Sequence, residues 1–372
     1  MAVTTTYKTT NVVNQAQRII GYDVARALAI LGMVIVHFSL TLVVSDQQSG
    51  WLGLIVEFCE GRAAALFVVL AGVGLSLIGR NNPDAEAAAI QAKRWTLTKR
   101  GLFLLVLGLI NLTIWPGDIL RVYGIAFLLI AWLFQASNRV LLGLALGFVL
   151  AFVGLILRFD FNQNWNWATL EYHNLWTLAG LLRNLLFDGF RSVFPWAGLI
   201  FFGMWLGRQN VQAAHVRRRL FWLGIGMALA AQLGSIGLTH VFSQTWPILG
   251  KPDAAMLFST ASIPPMPLFM LSAAGLSLAI IMGCIQLSLG LSTSRIINSL
   301  AATGQLALTW YIGHIVLGLG GLTSLGLYQN SSLATALWLA LGFFGVAVGC
   351  SVWWKKHFNH GPLEALLRWA TR

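Results

Sequence analysis

The chain alternates between long apolar runs and short polar connections along almost its whole length. A membrane-spanning helix needs about 20 mostly apolar residues, and ten stretches approach that requirement. We predict spans at 26–44, 53–78, 101–116, 119–137, 140–157, 194–208, 219–241, 267–290, 301–326 and 333–354. The pattern predicts an all-α, polytopic integral membrane protein, folded as a single domain over residues 1–372.

The charges in the connections predict which side of the membrane each one faces. With the N-terminus inside, the inner side collects seventeen Lys and Arg residues, and the outer side holds only Arg158, Arg183, Arg191 and Lys251. Positive residues accumulate in cytoplasmic loops. We therefore predict that the polar N-terminus (1–17) and the C-terminal tail (355–372) are both cytoplasmic. The segment 158–191 then becomes an outer loop, and its leucine spacing predicts a helix on the membrane surface.

The composition agrees with a membrane protein, and the charges and cysteines exclude some other classes of function. Of the 372 residues, 57% are hydrophobic and only 10% are charged, which is far from a soluble average. The net charge of +12 would suit nucleic acid, but the basic residues lie in short connections between apolar runs, so we exclude that partner. Three cysteines without paired or ligand spacing predict neither a disulfide framework nor a metal site.

Several ionisable residues fall inside the predicted spans. His37, Arg62 and His314 each lie near the middle of a ~30 Å hydrocarbon layer, and Asp118 opens the fourth span together with Arg121. Such groups are costly in lipid, so they mark a functional site by default. A structural network of ion pairs is the alternative. Histidine is the strongest candidate for chemistry because it exchanges a proton near neutral pH.

The first span also links the membrane surface to the membrane middle. Arg26 and His37 are eleven residues apart, which places them on one helix face about 16 Å apart. Asp23 precedes Arg26, and a basic group precedes the third span, consisting of Lys93, Arg94, Lys99 and Arg100. These residues either satisfy the topology rule and bind lipid headgroups, or bind the phosphates of a ligand such as coenzyme A.

Several motifs resemble a known superfamily. Arg26, ten intervening residues and His37 resemble the Arg-and-His signature on the first span of the bacterial family-three membrane acyltransferases. The wider pattern is similar to the YeiB-like membrane proteins and to the heparan-alpha-glucosaminide N-acetyltransferase-like group. This similarity extends over about residues 18–370, and the stretches that carry it are 21–26, 62–67, 117–123, 194–196, 203–208, 307–311 and 361–364.

The resemblance implies a multi-pass acyltransferase of the bacterial inner membrane. Its co-substrate would be acyl-coenzyme A, with acetyl-coenzyme A expected first, and no metal. The acyl group would pass from the cytoplasm to a hydroxyl or amine of an extracytoplasmic glycan or envelope component. The lysosomal enzyme has its active histidine in the first luminal loop, whereas residues 45–50 here contain no histidine.

His37 would therefore act as the base, with Arg62 or His314 stabilising negative charge and Asp118 completing the candidate set. Asp23, Arg26 and the basic group would hold the coenzyme A phosphates. The alternative is a transporter or lipid-handling protein that uses the same polar cavity without covalent chemistry.

Overall fold

The computed structural model describes residues 18–44, 50–79, 87–245 and 255–372, and these residues are overwhelmingly helical. The predicted N-terminal segment 1–17 and most of the first outer loop lie outside the described residues. The helices are α1 Ile20–Leu42, α2 Trp51–Cys59, α3 Arg62–Gly79, α4 Ala87–Leu112, α5 Leu120–Leu133, α6 Asn138–Arg158, α7 Leu178–Arg183, α8 Val193–Gly207, α9 Ala214–Thr245, α10 Pro267–Gly290, α11 Arg295–Gln305, α12 Ala307–Gly313, α13 Gly320–Ser324, α14 Leu333–His357 and α15 Pro362–Ala370.

Two π-helical turns and one small hairpin complete the described elements. The π-helical turns are Asn184–Asp188, which continues α7, and His314–Leu319, which joins α12 to α13. Strand β1 (Trp165–Asn166) pairs antiparallel with β2 (Glu171–Tyr172). The all-α prediction is therefore confirmed, apart from this hairpin.

Within the described residues, seven helical stretches are long and apolar enough to cross a membrane, or nine if each of two bent helix pairs is one span. The bent pairs are Leu178–Asp188 with Val193–Gly207, at 48°, and Arg295–Gln305 with Ala307–Ser324, at 73°. The shorter apolar helix α5 lies between two long ones. The chain is thus a multi-pass membrane protein, while ten spans and cytoplasmic termini stay predictions.

Helix α1 is the centre of the bundle. It packs against α3, α10, α11 and α14, and its Ala25, Ala27 and Ala29 are fully buried. Small residues make this close packing possible, as is usual in membrane bundles. A Cβ on Gly304 of α11, for example, would overlap the backbone of Asp23. The bundle therefore holds α1 from several sides and fixes the positions of its polar residues.

The structure corrects several predicted boundaries. The second predicted span is one apolar stretch, Trp51–Ile78, with an interruption between α2 and α3 at Gly61, whose φ of +67° favours glycine. The predicted span 301–326 is broken at Leu306. Helix α4 begins at Ala87, so the basic group lies on the helix itself and not in the connection before it. The C-terminal segment is also not a simple tail, because α14 reaches His357 and α15 follows.

The two faces of the bundle can be named from the charges that they carry. We call the end of the bundle with Arg26, Arg100, Arg208 and Lys355 the basic face, and the end with the β1–β2 hairpin the opposite face. Helix α1 begins at the basic face and ends at the opposite face, so His37 lies between the two.

Candidate functional site

Two histidines from distant parts of the chain meet inside the bundle. His37 on α1 and His314 at the start of the second π-helical turn lie with Nδ1 of His37 2.8 Å from Nε2 of His314. Their exposed fractions are 7% and 0%. Both residues are predicted near mid-membrane from their positions in the spans, and the structure brings them into direct contact.

The surroundings of the pair determine which nitrogen carries each proton. Nδ1 of His314 lies 3.0 Å from the carbonyl oxygen of Trp310. A carbonyl can only accept, so Nδ1 of His314 carries a hydrogen and its Nε2 is the acceptor when the ring is neutral. His37 must then donate from Nδ1. Its Nε2 keeps a lone pair, and no described residue forms a hydrogen bond with that atom, so Nε2 of His37 is the basic position of the pair.

Local helix irregularities place His314 here. Helix α12 starts after the break at Leu306 and passes into a π-helical turn at His314, a feature frequent at functional sites. The side chain of Glu364 on α15 caps the new helix start: its Oε1 accepts from the amides of Leu308, at 2.7 Å, and Thr309, at 3.1 Å. A carboxylate at a helix N-terminus satisfies free amides and opposes the positive end of the dipole.

Aromatic side chains enclose the pair. The ring of Trp115 lies 4.6 Å from that of His37, and the ring of Tyr311 lies 5.7 Å from that of His314. The indole of Trp310 donates to Ser351 on α14 at 2.7 Å. The carbonyl of Trp310 is thereby held where it accepts from His314. The pair is consequently fixed in rotamer as well as in position.

Next to the pair lies a buried ionic network centred on Asp118. Its carboxylate accepts from Asn111 Nδ2 at 2.9 Å and from the amide of Arg121 at 3.0 Å, and the Arg121 guanidinium lies 3.5 Å away. Tyr311 also reaches it, at 3.4 Å. Asp118 therefore organises the wall behind His314. It does not itself contact either histidine among the recorded hydrogen bonds.

The same network reaches the first π-helical turn. Arg121 is fully buried and donates from Nη1 to Asn184 Oδ1 at 2.7 Å. Its Nε and Nη2 have no hydrogen-bond partner among the described residues. The three elements around Asp118, Asn184 and His314 are thus joined by polar contacts in the bundle interior.

A further buried cation near the pair is Arg191. Its guanidinium lies 4.5 Å from the ring of Trp196, donates to the carbonyl of Phe190 at 2.8 Å, and is within electrostatic range of His37 and Glu60. From the sequence, Arg191 is predicted only as a charge of the outer loop. Its position just before Phe194-Pro195-Trp196, a stretch that carries the family resemblance, is the feature of the sequence that could have indicated a functional role.

Arg62, by contrast, does not join the histidine pair. It donates to the carbonyl oxygens of Glu57, at 3.1 Å, and Thr260, at 3.3 Å. It lines a separate polar cleft toward the opposite face, together with Glu57 and Glu60. Its predicted depth equalled that of His37, but the break before α3 directs it to another side of the bundle.

On the basic face, Asp23 pairs with two arginines. Its carboxylate lies 2.7 Å from Arg18 Nε and 2.7 Å from Arg26 Nη1. The Arg26 side chain is only 25% exposed, and its Nη2 lies close to Gly74 of α3. Asp23 is therefore positioned to orient Arg26, and Arg26 itself is directed into the bundle.

The side chains of the basic group make different contacts from one another. Arg94 lies over the ring of Trp132 at 5.1 Å, and Lys99 donates to the backbone carbonyl of Arg372 at 2.6 Å. The Nε atoms of Arg94 and Arg100 are buried without a hydrogen-bond partner in the described structure. The group thus borders the C-terminal helix α15 as well as the face where Arg26 lies.

A pocket near the opposite face has Trp115, the neighbour of His37, in its wall. It has a volume of about 340 Å³ and is lined by Trp115, Trp167, Thr169, Thr323, Tyr328 and Gln329, among others. Its rim is held to α1, because the amide of Gln329 donates to the carbonyl of Thr41 at 3.1 Å. Trp115 lines the pocket, and its ring lies 4.6 Å from that of His37 at an interplanar angle of 45°, so Trp115 separates the pocket from the pair.

The hairpin beside this pocket is held by a tyrosine and a carboxylate. Tyr172 donates to Asp188 Oδ1 at 2.7 Å. Burial, reinforced by this hydrogen bond, raises the pKa of the Tyr172 phenol well above its usual value. Trp165 of β1 donates to the backbone carbonyl of Asp188 at 2.6 Å. The hairpin is therefore fixed to the first π-helical turn.

Comparison with known proteins gives two family matches and one relative. The profile of the catalytic domain of heparan-alpha-glucosaminide N-acetyltransferase matches residues 18–242, and a profile of a protein of unknown function, DUF418, matches residues 205–372. An uncharacterized 39.9 kDa protein in the amylase 3′ region of Bacillus acidopullulyticus is 24% identical over 368 residues, covering 95% of this chain and 94% of the relative. The resemblance inferred from the motifs is confirmed at the level of the superfamily.

Proposed function

Because the chain belongs to the family of the heparan-alpha-glucosaminide N-acetyltransferase catalytic domain, we propose that it transfers an acetyl group across the membrane. The donor is acetyl-coenzyme A at the basic face, and the acceptor is a hydroxyl or amine of a glycan or cell-envelope component at the opposite face. The observation that carries this proposal is the 2.8 Å contact between His37 and His314, which leaves one basic nitrogen free inside the bundle.

The proposed reaction needs one base and one stabilised oxyanion. Nε2 of His37 takes the proton from the acceptor as its oxygen or nitrogen attacks the thioester carbonyl. The tetrahedral intermediate collapses, the C–S bond breaks, and the imidazolium returns the proton to the departing thiolate of coenzyme A. Accepting the hydrogen bond from His37, His314 orients the ring. Arg191, within electrostatic range of His37, replaces Arg62 as the candidate that stabilises the developing negative charge.

Arg26 supports a donor site at the basic face. Eleven residues of helix separate it from His37, a rise of about 16 Å, roughly the length of a pantetheine arm. An Arg oriented by Asp23 presents bidentate donors suited to phosphate, and Lys93, Arg94, Lys99 and Arg100 add positive charge nearby. The thioester of a donor bound there would reach the level of the histidine pair.

The pocket beside Trp115 supports an acceptor site. Its aromatic side chains offer apolar faces, and Thr169, Thr323 and Gln329 offer hydrogen-bonding groups. A small number of polar groups on a largely aromatic wall is the usual composition of a small-molecule site, and it suits a sugar ring that carries a nucleophilic hydroxyl or amine.

The test is acetyl transfer by purified protein, measured with radiolabelled acetyl-coenzyme A and a panel of amino sugars and envelope glycans. His37→Gln should lower the rate about 10²–10⁴-fold while donor binding and thermal stability persist. The exposed His357 at the basic face provides the matched control, His357→Gln. A folded His37→Gln protein that transfers acetyl at the normal rate removes His37 from the mechanism, and saturable transport without transfer favours a transporter.

A further inference from the structure

A groove on the basic face lies apart from the histidine pair. It has a volume of about 790 Å³ and runs between the start of α9 and the end of α10. Its basic wall is the start of α9 with His215, Arg217 and Arg218, and its other, apolar wall is formed by Phe221, farther along α9, and by Met282 and Leu287 of α10. None of its described lining residues belongs to α1 or α4, which carry Arg26 and the basic group, so the proposed function makes no use of it.

The basic wall contains a buried guanidinium without a counter-charge. Arg217 is only 8% exposed. Its Nε donates to Gln286 at 3.1 Å, and its Nη1 donates to the carbonyls of Val211 and Gln212. None of the salt bridges in the described structure includes Arg217, and no hydrogen bond from its Nη2 is recorded. These hydrogen-bond partners are all uncharged, and a buried charge without a counter-charge is costly, so an anion in the groove would stabilise Arg217.

Two further features favour phosphate as that anion. Helix α9 begins at Ala214, and the first amides of a helix have no intrahelical partner, which makes a long helix start an anion-binding end. Ala214 and His215 line the groove at that start. Arg218, which is exposed and also lines the groove, adds a second guanidinium. The two guanidiniums and the free amides at the start of α9 therefore border the same part of the groove.

The other wall is suited to an acyl chain. Phe221 and Met282 continue from the basic wall toward the membrane interior along α9 and α10, whereas Leu287 lies next to Gln286 at the level of Arg217. A Cβ added to Gly283 would meet no described atom within 4 Å, so the groove stays open at that residue. A phosphate next to an apolar chain is the chemistry of a phospholipid. Two guanidiniums with no carboxylate among the described lining residues favour a headgroup of net negative charge, and basic pockets between transmembrane helices bind such headgroups.

We propose that this groove is a specific site for an anionic phospholipid, with its phosphate at Arg217, Arg218 and the start of α9 and one acyl chain along Phe221 and Met282. The proposal does not depend on acetyl transfer. The probes are phosphatidylglycerol and phosphatidylcholine, added to delipidated protein and detected by native mass spectrometry and by thermal shift, since a ligand selective for the folded state raises its apparent stability.

Three variants, one of them a control, test the site without removing the buried Arg217. Arg218→Gln should weaken phosphatidylglycerol binding about fivefold, the effect expected of one basic residue near an anionic headgroup. Arg219→Gln removes the same charge from an exposed neighbour that does not line the groove, so its affinity should stay within twofold. Gly283→Leu should fill the open slot and weaken binding while the protein remains folded.

Three results would overturn the proposal. The first is equal affinity for phosphatidylglycerol and phosphatidylcholine, and the second is an equal loss for Arg218→Gln and Arg219→Gln. The third is displacement of phosphatidylglycerol by coenzyme A with the same dependence on Arg218, which would make the groove a nucleotide site. Each outcome is read from binding and not from activity, so it remains distinct from failure of the proposed acetyl transfer.

Discussion

The cap that Glu364 forms on α12 leads to a quantitative prediction. Its carboxylate accepts from the amides of Leu308 and Thr309 and from the Thr309 hydroxyl, the last at 2.5 Å. Loss of an N-terminal cap costs about 0.5–2 kcal/mol, and loss of the charge at the helix start adds about 0.3–1 kcal/mol. We therefore expect Glu364→Ala to lower the free energy of unfolding by about 2 kcal/mol.

A conservative replacement separates the cap from the charge. In Glu364→Gln the amide oxygen can still accept from the two backbone amides, so we expect about half the loss seen with alanine. Leu366→Ala is the matched control, because Leu366 lies on the same helix with 43% of its surface exposed. Unfolding by denaturant in one detergent gives the three free energies under identical conditions.

The same variants test whether the cap positions the histidine pair. Helix α12 carries Trp310, whose carbonyl accepts from Nδ1 of His314. If the helix start moves, the Nδ1 signal of His314 in ¹⁵N-histidine spectra should shift in Glu364→Ala and recover in Glu364→Gln. Two results would contradict this prediction. One is a Glu364→Ala protein that is no less stable than the Leu366→Ala control. The other is a Glu364→Ala protein that loses stability while its His314 signals stay unchanged.

Three further predictions concern the site and its borders. His314→Gln should reduce acetyl transfer about tenfold or more, less than His37→Gln, since it orients the base and does not act as the base; steady-state rates compare the two. Arg26→Glu should weaken acetyl-coenzyme A binding at least tenfold in calorimetry. The fold favours the neutral form of the Tyr172 phenol and so raises its pKa. The stability gained from it is fully present below the unfolded pKa of about 10 and is lost progressively as the pH rises from there through the raised pKa of the folded state. Alkaline difference spectra against Tyr172→Phe should show that Tyr172 ionises at a higher pH than a free tyrosine.

Regular features of the fold were predictable from the sequence because they are periodic. The predicted span 267–290 coincides with α10, where an unbroken apolar run meets a proline at its start. His37 and His314 could be placed at one depth because helix rise is constant. The break at Leu306 was not predictable in the same way, since the polar contact that stabilises it comes from Glu364, 58 residues farther along the chain.

Residues whose placement depends on a helix break or on a neighbouring helix were harder to place from the sequence. Arg62 has the depth that would suit the pair, yet depth fixes only one coordinate of a residue in a bundle. The break at Gly61 sets the direction of its side chain, and Thr260 sets its partner. Conversely, Arg191 lies in a segment that reads as an outer connection, and only the return of α8 toward the interior brings it near His37.

The contrast between Arg62 and Arg191 bears on how a membrane bundle can accommodate a charge. Arg62 is satisfied by backbone carbonyls in an open cleft, where solvent lowers the cost of its charge. Arg191 is buried against Trp196, where a neighbouring negative charge would be worth far more. Arg191 forms no salt bridge among the described residues, and a buried cation that gains a contacting negative charge only when an oxyanion forms favours a transition state over a bound substrate. Replacement of Arg191 by Gln should therefore lower kcat for acetyl transfer more than it raises KM, whereas Arg62→Gln should leave both nearly unchanged. Equal effects of the two substitutions on kcat would place the stabilising charge elsewhere.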